Sequence, residues 1–148
     1  LNATAALAQK HVVAPALAHP EGLPRLRALA EGWLGWSKRA GLAGGCPIAA
    51  ALFELDDLGG EVRGHVAALE REWRDLLLAH TSRAIALGHL SVKSDPKQIV
   101  WELCGIYLSH HASVRFLHDP AADGRAEIAI KALFDRNGAA AGSGGRRK

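Results

Sequence analysis

The chain has 148 residues, 49% of them hydrophobic and 22% charged, which is the size and composition of one globular domain with enough apolar material for a core. Its formal charge of +3 is carried by the last three residues, Arg146, Arg147 and Lys148, so the remainder is neutral and lacks the basic stripe that tracks a nucleic-acid backbone. No apolar run is long enough to span a bilayer, and residues 1–4 have neither the charged nor the apolar region of a signal peptide.

Cys46 and Cys104 are far apart in the chain, which suits a reduced, cytoplasmic protein better than a disulfide framework. With no methionine at its start or elsewhere, the chain reads as a piece of a longer protein cut on its N-terminal side.

Helical periodicity accounts for nearly the whole chain, and the fold class it predicts is all-α, a bundle of about six helices. Residues 1–18 are alanine-rich and read as the tail of a longer helix, with Leu7, His11 or Val12, and Pro15 along one side. His19-Pro20-Glu21-Gly22 breaks it. A second helix follows to Gly41, where Leu26, Leu29, Ala30, Trp33 and Ala40 recur at steps of three and four.

Gly41, Gly44 and Gly45 end that helix, and Pro47 opens a short one over 47–55, since proline at a first helical position loses no needed hydrogen bond. After a polar loop at 56–60, Val62, Val66, Leu69, Trp73, Leu76, Leu77, Ala84 and Leu87 mark one face of the longest helix. Its other face carries Arg63, Glu70, Arg71, Arg74 and Asp75, with Glu70 and Arg74 spaced to pair.

Asp95, Pro96 and Gln98 make the clearest boundary, with a capping aspartate, a proline at the first position and a glutamine where a capping box wants it. That helix runs through Ile99, Val100, Leu103, Cys104, Tyr107, Val114 and Leu117 to Asp119-Pro120. A last helix over 123–136 is apolar on more than one side. Residues 137–148 read as a disordered Gly/Ala/Ser tail with a basic end.

The helices, in this order and with these lengths, resemble the C-terminal domain of TetR-type (tetracycline-repressor-like) transcriptional regulators. The resemblance spans residues 1–136. It is carried by Gly44-Gly45-Cys46-Pro47-Ile48-Ala49-Ala50-Ala51, then Glu54-Leu55-Asp56-Asp57, then the long helix opening at Val62-Arg63, with a Leu/Trp-bearing helix over 26–36 just before.

It implies that residues 1–18 belong to the connecting helix of an effector-binding and dimerisation domain. DNA would then be read only through a helix-turn-helix head not present in this chain. It further implies a homodimer built by pairing the last two long helices into a four-helix bundle, and an effector pocket enclosed by the middle helices.

The residues point the same way on the first count, because the last two helices have more apolar surface than one core needs. His111, Val114, Leu117, Ile128, Ile130, Leu133 and Phe134 are the expected interface. For the pocket, Trp33, Trp36, Phe53, Trp73 and Trp101 are the aromatic candidates, joined by Leu77, Tyr107 and His110, although aromatics at helical spacing also serve simply as core.

The polar candidates are His65, His80 and His89 on the long helix and the His110-His111 pair, each of which also fits a satisfied structural histidine. The histidines and cysteines lack metal-site spacing, no cofactor is implied, and no phosphate loop or nucleophile motif marks an enzyme. Cys46 at a helix start is a candidate redox sensor or a small packed side chain.

Two functions follow. One is a sensor domain whose apolar small-molecule effector, aromatic or lipid-like, alters DNA binding by the regulator. The other is a helical oligomerisation or scaffold module with no ligand, which predicts that the tryptophan cluster packs solid.

Overall fold

The computed structural model describes residues 2–139, and their secondary structure is helical throughout apart from one isolated bridge. Helix α1 (Asn2–Ala8) passes through a π-helical turn (Gln9–Val13) into α2 (Ala14–Leu17). The interruption has a local cause. Pro15 has no N–H to give to the carbonyl of His11 and its ring crowds that carbonyl, so the ladder widens by one residue ahead of it. Thr4, Ala8, Val12, Val13 and Ala16 still form one buried side.

The breaker ends at Gly22, whose φ of 90° is a backbone that an L side chain rarely adopts. A Cβ there would also meet His89 Nδ1 at 2.3 Å. Helix α3 (Leu23–Trp33) begins next, with Pro24 in its first turn.

The sequence predicts one helix to Gly41. Instead Gly35 turns left-handed, at φ 64°, and a short α4 (Trp36–Arg39) follows. Arg39 folds back over the break and donates to the carbonyls of Gly32 and Leu34, which the end of α3 leaves free.

In α5 (Pro47–Glu54) the first residue is proline, and Cys46 Sγ accepts the Ala49 N–H at 3.5 Å. Helix α6 (Glu61–Ala86) is the longest, and the expected Arg74 to Glu70 bond is made at 2.7 Å. Helix α7 (Pro96–Arg115) is capped as the sequence predicts, Asp95 Oδ1 accepting from the backbone N–H of Lys97 and Gln98. The Gln98 amide does not complete the box; it donates forward to Glu102 at 3.1 Å.

Helix α8 (Ala122–Arg136) returns along α7. Beyond it, Asn137 O accepts the Ser91 N–H at 2.8 Å and Gly138 bridges Leu90, so the expected tail is tied down at its start. Residues 140–148 lie outside the described residues.

Helices α6, α7 and α8 pack side by side, and α3 lies across α6 and α8 with the π turn and α2 against it. One core forms where α3, α6, α7 and α8 meet, around Leu26, Leu29, Leu77, Ile99, Leu103, Ile130, Leu133 and Phe134. A second lies between the first helix, α4, α5 and α6, around Val12, Trp36, Cys46, Ile48 and Val66. Trp73 on α6 packs against both cores and joins them.

Candidate functional site

Trp33 from α3, Trp36 from α4, Trp73 from α6 and Tyr107 from α7 meet in one aromatic seam. Trp33 stacks on Trp73 with centroids 4.0 Å apart and planes 16° from parallel, and on Trp36 at 5.2 Å and 24°. Tyr107 closes the group, tilted 57° to Trp33 at 5.5 Å. Such contacts add about 0.5–1.5 kcal/mol each beyond the area they bury.

The seam is nearly full. Two voids of about 10 Å³ border it, one lined by Trp33, Cys46, Glu70, Trp73, Cys104 and Tyr107, the other reaching Leu77 and Ile130. Each holds at most one water.

Packing has left two donors unanswered. The indole N–H groups of Trp33 and Trp36 are buried with no hydrogen bond in good geometry, although the Tyr107 hydroxyl lies beside that of Trp36. A buried donor in that state costs about 1–3 kcal/mol. Burial, with the Cys46 thiol beside it, pushes the Tyr107 hydroxyl well above its ordinary range, so it stays protonated. Burial likewise raises the Cys104 thiol to about 11.

Not every expected pocket residue comes to the seam. Phe53 is 66% exposed on α5, and Trp101 is 65% exposed on α7. Val100, Leu103 and Cys104 occupy the inward side of α7, and Trp101 lies a further 100° round from Val100. His110 is buried elsewhere, its Nε2 2.7 Å from Asp123 Oδ1, tying α7 to the start of α8.

Other histidines are also engaged. His65 Nε2 lies 2.9 Å from Asn2 Oδ1. His89 lies past the end of α6, not on it, and its Nδ1 accepts the Leu23 N–H at 3.1 Å. His80 is half-buried, and its pKa is lowered by that burial and by Arg25, with Glu21 opposing.

The expected interface set divides. Ile128 is 71% exposed, and Leu117 and Val114 also face outward. Ile130, Leu133 and Phe134 do not: they are buried in the protomer's own core and have no surface to offer a partner. The two-sided apolar character of the last helix is met by α3 on one side and α7 on the other.

His111 is half-buried beside Tyr107, ring centroids 6.2 Å apart, and lines a cavity. Sequence reasoning missed Phe116, 84% exposed, together with exposed Gly105, Ser109 and Ala112. Their signal was present: 101, 105, 109, 112 and 116 repeat at helical steps opposite the buried side of α7.

Larger spaces lie outside the seam, one of which shares Tyr107 with it. A groove of about 910 Å³ runs between the first helix and α3, walled by His11 and Val12 of the π turn, Pro15, Leu23, Arg27 and Glu31. A cavity of about 730 Å³ lies between residues 35–45 and the far end of α7, with Tyr107 and His111 in its wall. Neither Lys38 nor Arg115, which line the second, stood out in the sequence.

Among the described residues no three potential metal ligands cluster, and no helix is long and apolar enough to cross a membrane. These features define an all-α bundle domain with a packed aromatic centre and ligand-sized spaces outside it. Residues 22–130 match the family described as tetracyclin repressor-like, C-terminal domain, and the chain belongs to that family. No curated protein matches the chain. Membership gives it the ligand-binding and dimerisation role of a regulator's C-terminal domain.

Proposed function

We propose that residues 1–136 form the effector-sensing domain of a homodimeric, cytoplasmic transcriptional regulator, with the effector seated at the aromatic seam. The observation that carries this reading is the buried indole N–H of Trp33, which has no hydrogen-bond partner at the centre of the seam. A purely structural core gains nothing from an unpaired donor, whereas an effector with an apolar body and a hydrogen-bond acceptor answers it.

The tight packing of the seam favours the competing reading, a scaffold module with no ligand, because the voids there admit only a water. Against it stands the ligand-sized cavity at the far end of α7, which shares Tyr107 with the seam and gives that side chain room to move.

Dimerisation uses the outer faces of α7 and α8. Trp101 and Phe116 bracket Gly105, Ser109 and Ala112 on α7, and Ile128 lies between exposed Gly124 and Ala132 on α8. Small residues flanked by large apolar ones let two copies approach closely and then lock, which suits a symmetric four-helix bundle. Effector binding would favour one arrangement of the dimer and so reposition DNA-reading heads carried outside this chain; this requires unequal affinity for the two arrangements.

The test is light scattering together with tryptophan fluorescence and thermal melting across a panel of apolar compounds bearing one acceptor. A dimer whose fluorescence changes saturably is expected. At a hundredfold excess over Kd the gain is about 2.7 kcal/mol, or roughly 5–10 °C in Tm. A chain that answers to no compound leaves the scaffold reading in its place.

A further inference from the structure

The cavity of about 730 Å³ at the end of α7 is lined by two carboxylates, Asp119 and Asp123, and two cations, Lys38 and Arg115. Its carboxylates are already engaged. Asp123 is bonded to His110, and Asp119 faces Arg125 at 3.5 Å while accepting the Ala121 N–H. Its cations are not: among the described residues neither Lys38 nor Arg115 has a carboxylate within ion-pairing distance.

Arg115 is nevertheless held in place. Its Nη1 donates to the Ala43 carbonyl at 3.0 Å, and its side chain lies so close to Gly45 that a Cβ there would meet Nε at 2.9 Å. The remaining guanidinium donors are therefore presented from a fixed position.

His118 stands at the rim with φ 52°, an uncommon backbone for a residue other than glycine. The lining also has apolar members, Leu42, the half-exposed Val114 and the ring of Tyr107. Tyr107 also borders both voids at Trp33, so one side chain lines the charged cavity and the space beside the unpaired Trp33 indole alike.

We propose that this cavity is the anion-binding half of the effector site and that the effector is a carboxylate with an apolar body. Lys38 and Arg115 hold the carboxylate, and the body lies along Tyr107 toward Trp33. The inference rests on the sensor reading above and adds the ligand's charge to it.

The probes are 1-naphthoate, its uncharged amide 1-naphthamide, and inorganic phosphate, titrated calorimetrically into the intact chain. Naphthoate is expected to bind at least tenfold more tightly than the amide, and phosphate more weakly than either. Lys38→Gln should weaken naphthoate about tenfold and leave the amide unchanged. Lys38 is exposed and makes no bond that holds the fold, so this variant stays folded even if Arg115→Gln loosens residues 41–45.

Equal affinity for naphthoate and the amide, or naphthoate binding untouched by Lys38→Gln and Arg115→Gln, would overturn the anion site while leaving the sensor reading intact. Phosphate matching naphthoate would overturn the apolar half. No binding of any probe, with no response to the neutral panel, would remove both readings.

Discussion

Trp33 and Trp73 stack face to face across α3 and α6, centroids 4.0 Å apart, and this contact couples the protein's two cores. Trp33→Ala should cost about 3–5 kcal/mol, because the void it leaves joins an already packed seam. Combined with Trp73→Ala in a double-mutant cycle, the coupling should be about 0.5–1.5 kcal/mol. Urea unfolding followed by circular dichroism reads both quantities; strictly additive losses would mean that the stack itself contributes nothing.

The outer faces of α7 and α8 give a second prediction. Trp101→Glu and Ile128→Glu should each raise the dimer Kd roughly thirtyfold or more, while helix content and Tm of the monomer stay near wild type. Leu133→Ala should behave in the opposite way. Leu133 is wholly buried, so the change costs about 2–5 kcal/mol of folding stability with no direct effect on association. Sedimentation and melting of the three variants separate the two faces of the last helix pair.

Stability should also fall on mild acidification. The His111 pKa is lowered by burial, then by Arg115 and His110, and that of His80 by burial and Arg25. A histidine whose folded pKa lies below its unfolded value binds fewer protons when folded. Its contribution is therefore present above the ordinary value of 6.5 and is lost as pH falls through the folded value. Tm measured from pH 7.5 to 5 should decline below about pH 6.5, and His111→Asn should make the decline shallower. A flat profile in the wild type would contradict the burial argument.

The two thiols should be silent in the folded protein. Cys46 and Cys104 are both buried, and with Cys104 raised to about 11, only about a thousandth of it is thiolate at pH 8. Iodoacetamide at pH 8, read by mass spectrometry, should add no label within minutes to the native chain and two labels in denaturant. Rapid native labelling of Cys46 would instead support a thiol-sensing role at the start of α5.

Boundaries with a chemical mark were legible in the sequence. Asp95-Pro96 and Cys46-Pro47 start helices where expected, and Glu70 pairs with Arg74. Gly35 was not read as a break, because its left-handed turn depends on Arg39 reaching back to cap α3, a contact between residues that periodicity treats as one helix.

The aromatic seam was legible in four of its members, since Trp33, Trp36, Trp73 and Tyr107 lie on the apolar sides of their helices. Trp101 was misplaced by residue type: size and hydrophobicity suggested an interior position, while its angle on α7 puts it outside. The cavity cations were invisible because their significance lies in missing partners, which only tertiary structure reveals.

The π turn at Gln9–Val13 carries one residue more than the α-helical path needs. Returning that residue to ordinary α geometry would rotate Asn2–Ala8 by about 100° and slide it about 1.5 Å along its axis. The register of the turn therefore fixes which side of Asn2–Ala8 meets the domain, a setting that Pro15 imposes from one end and the contact of Asn2 with His65 holds from the other.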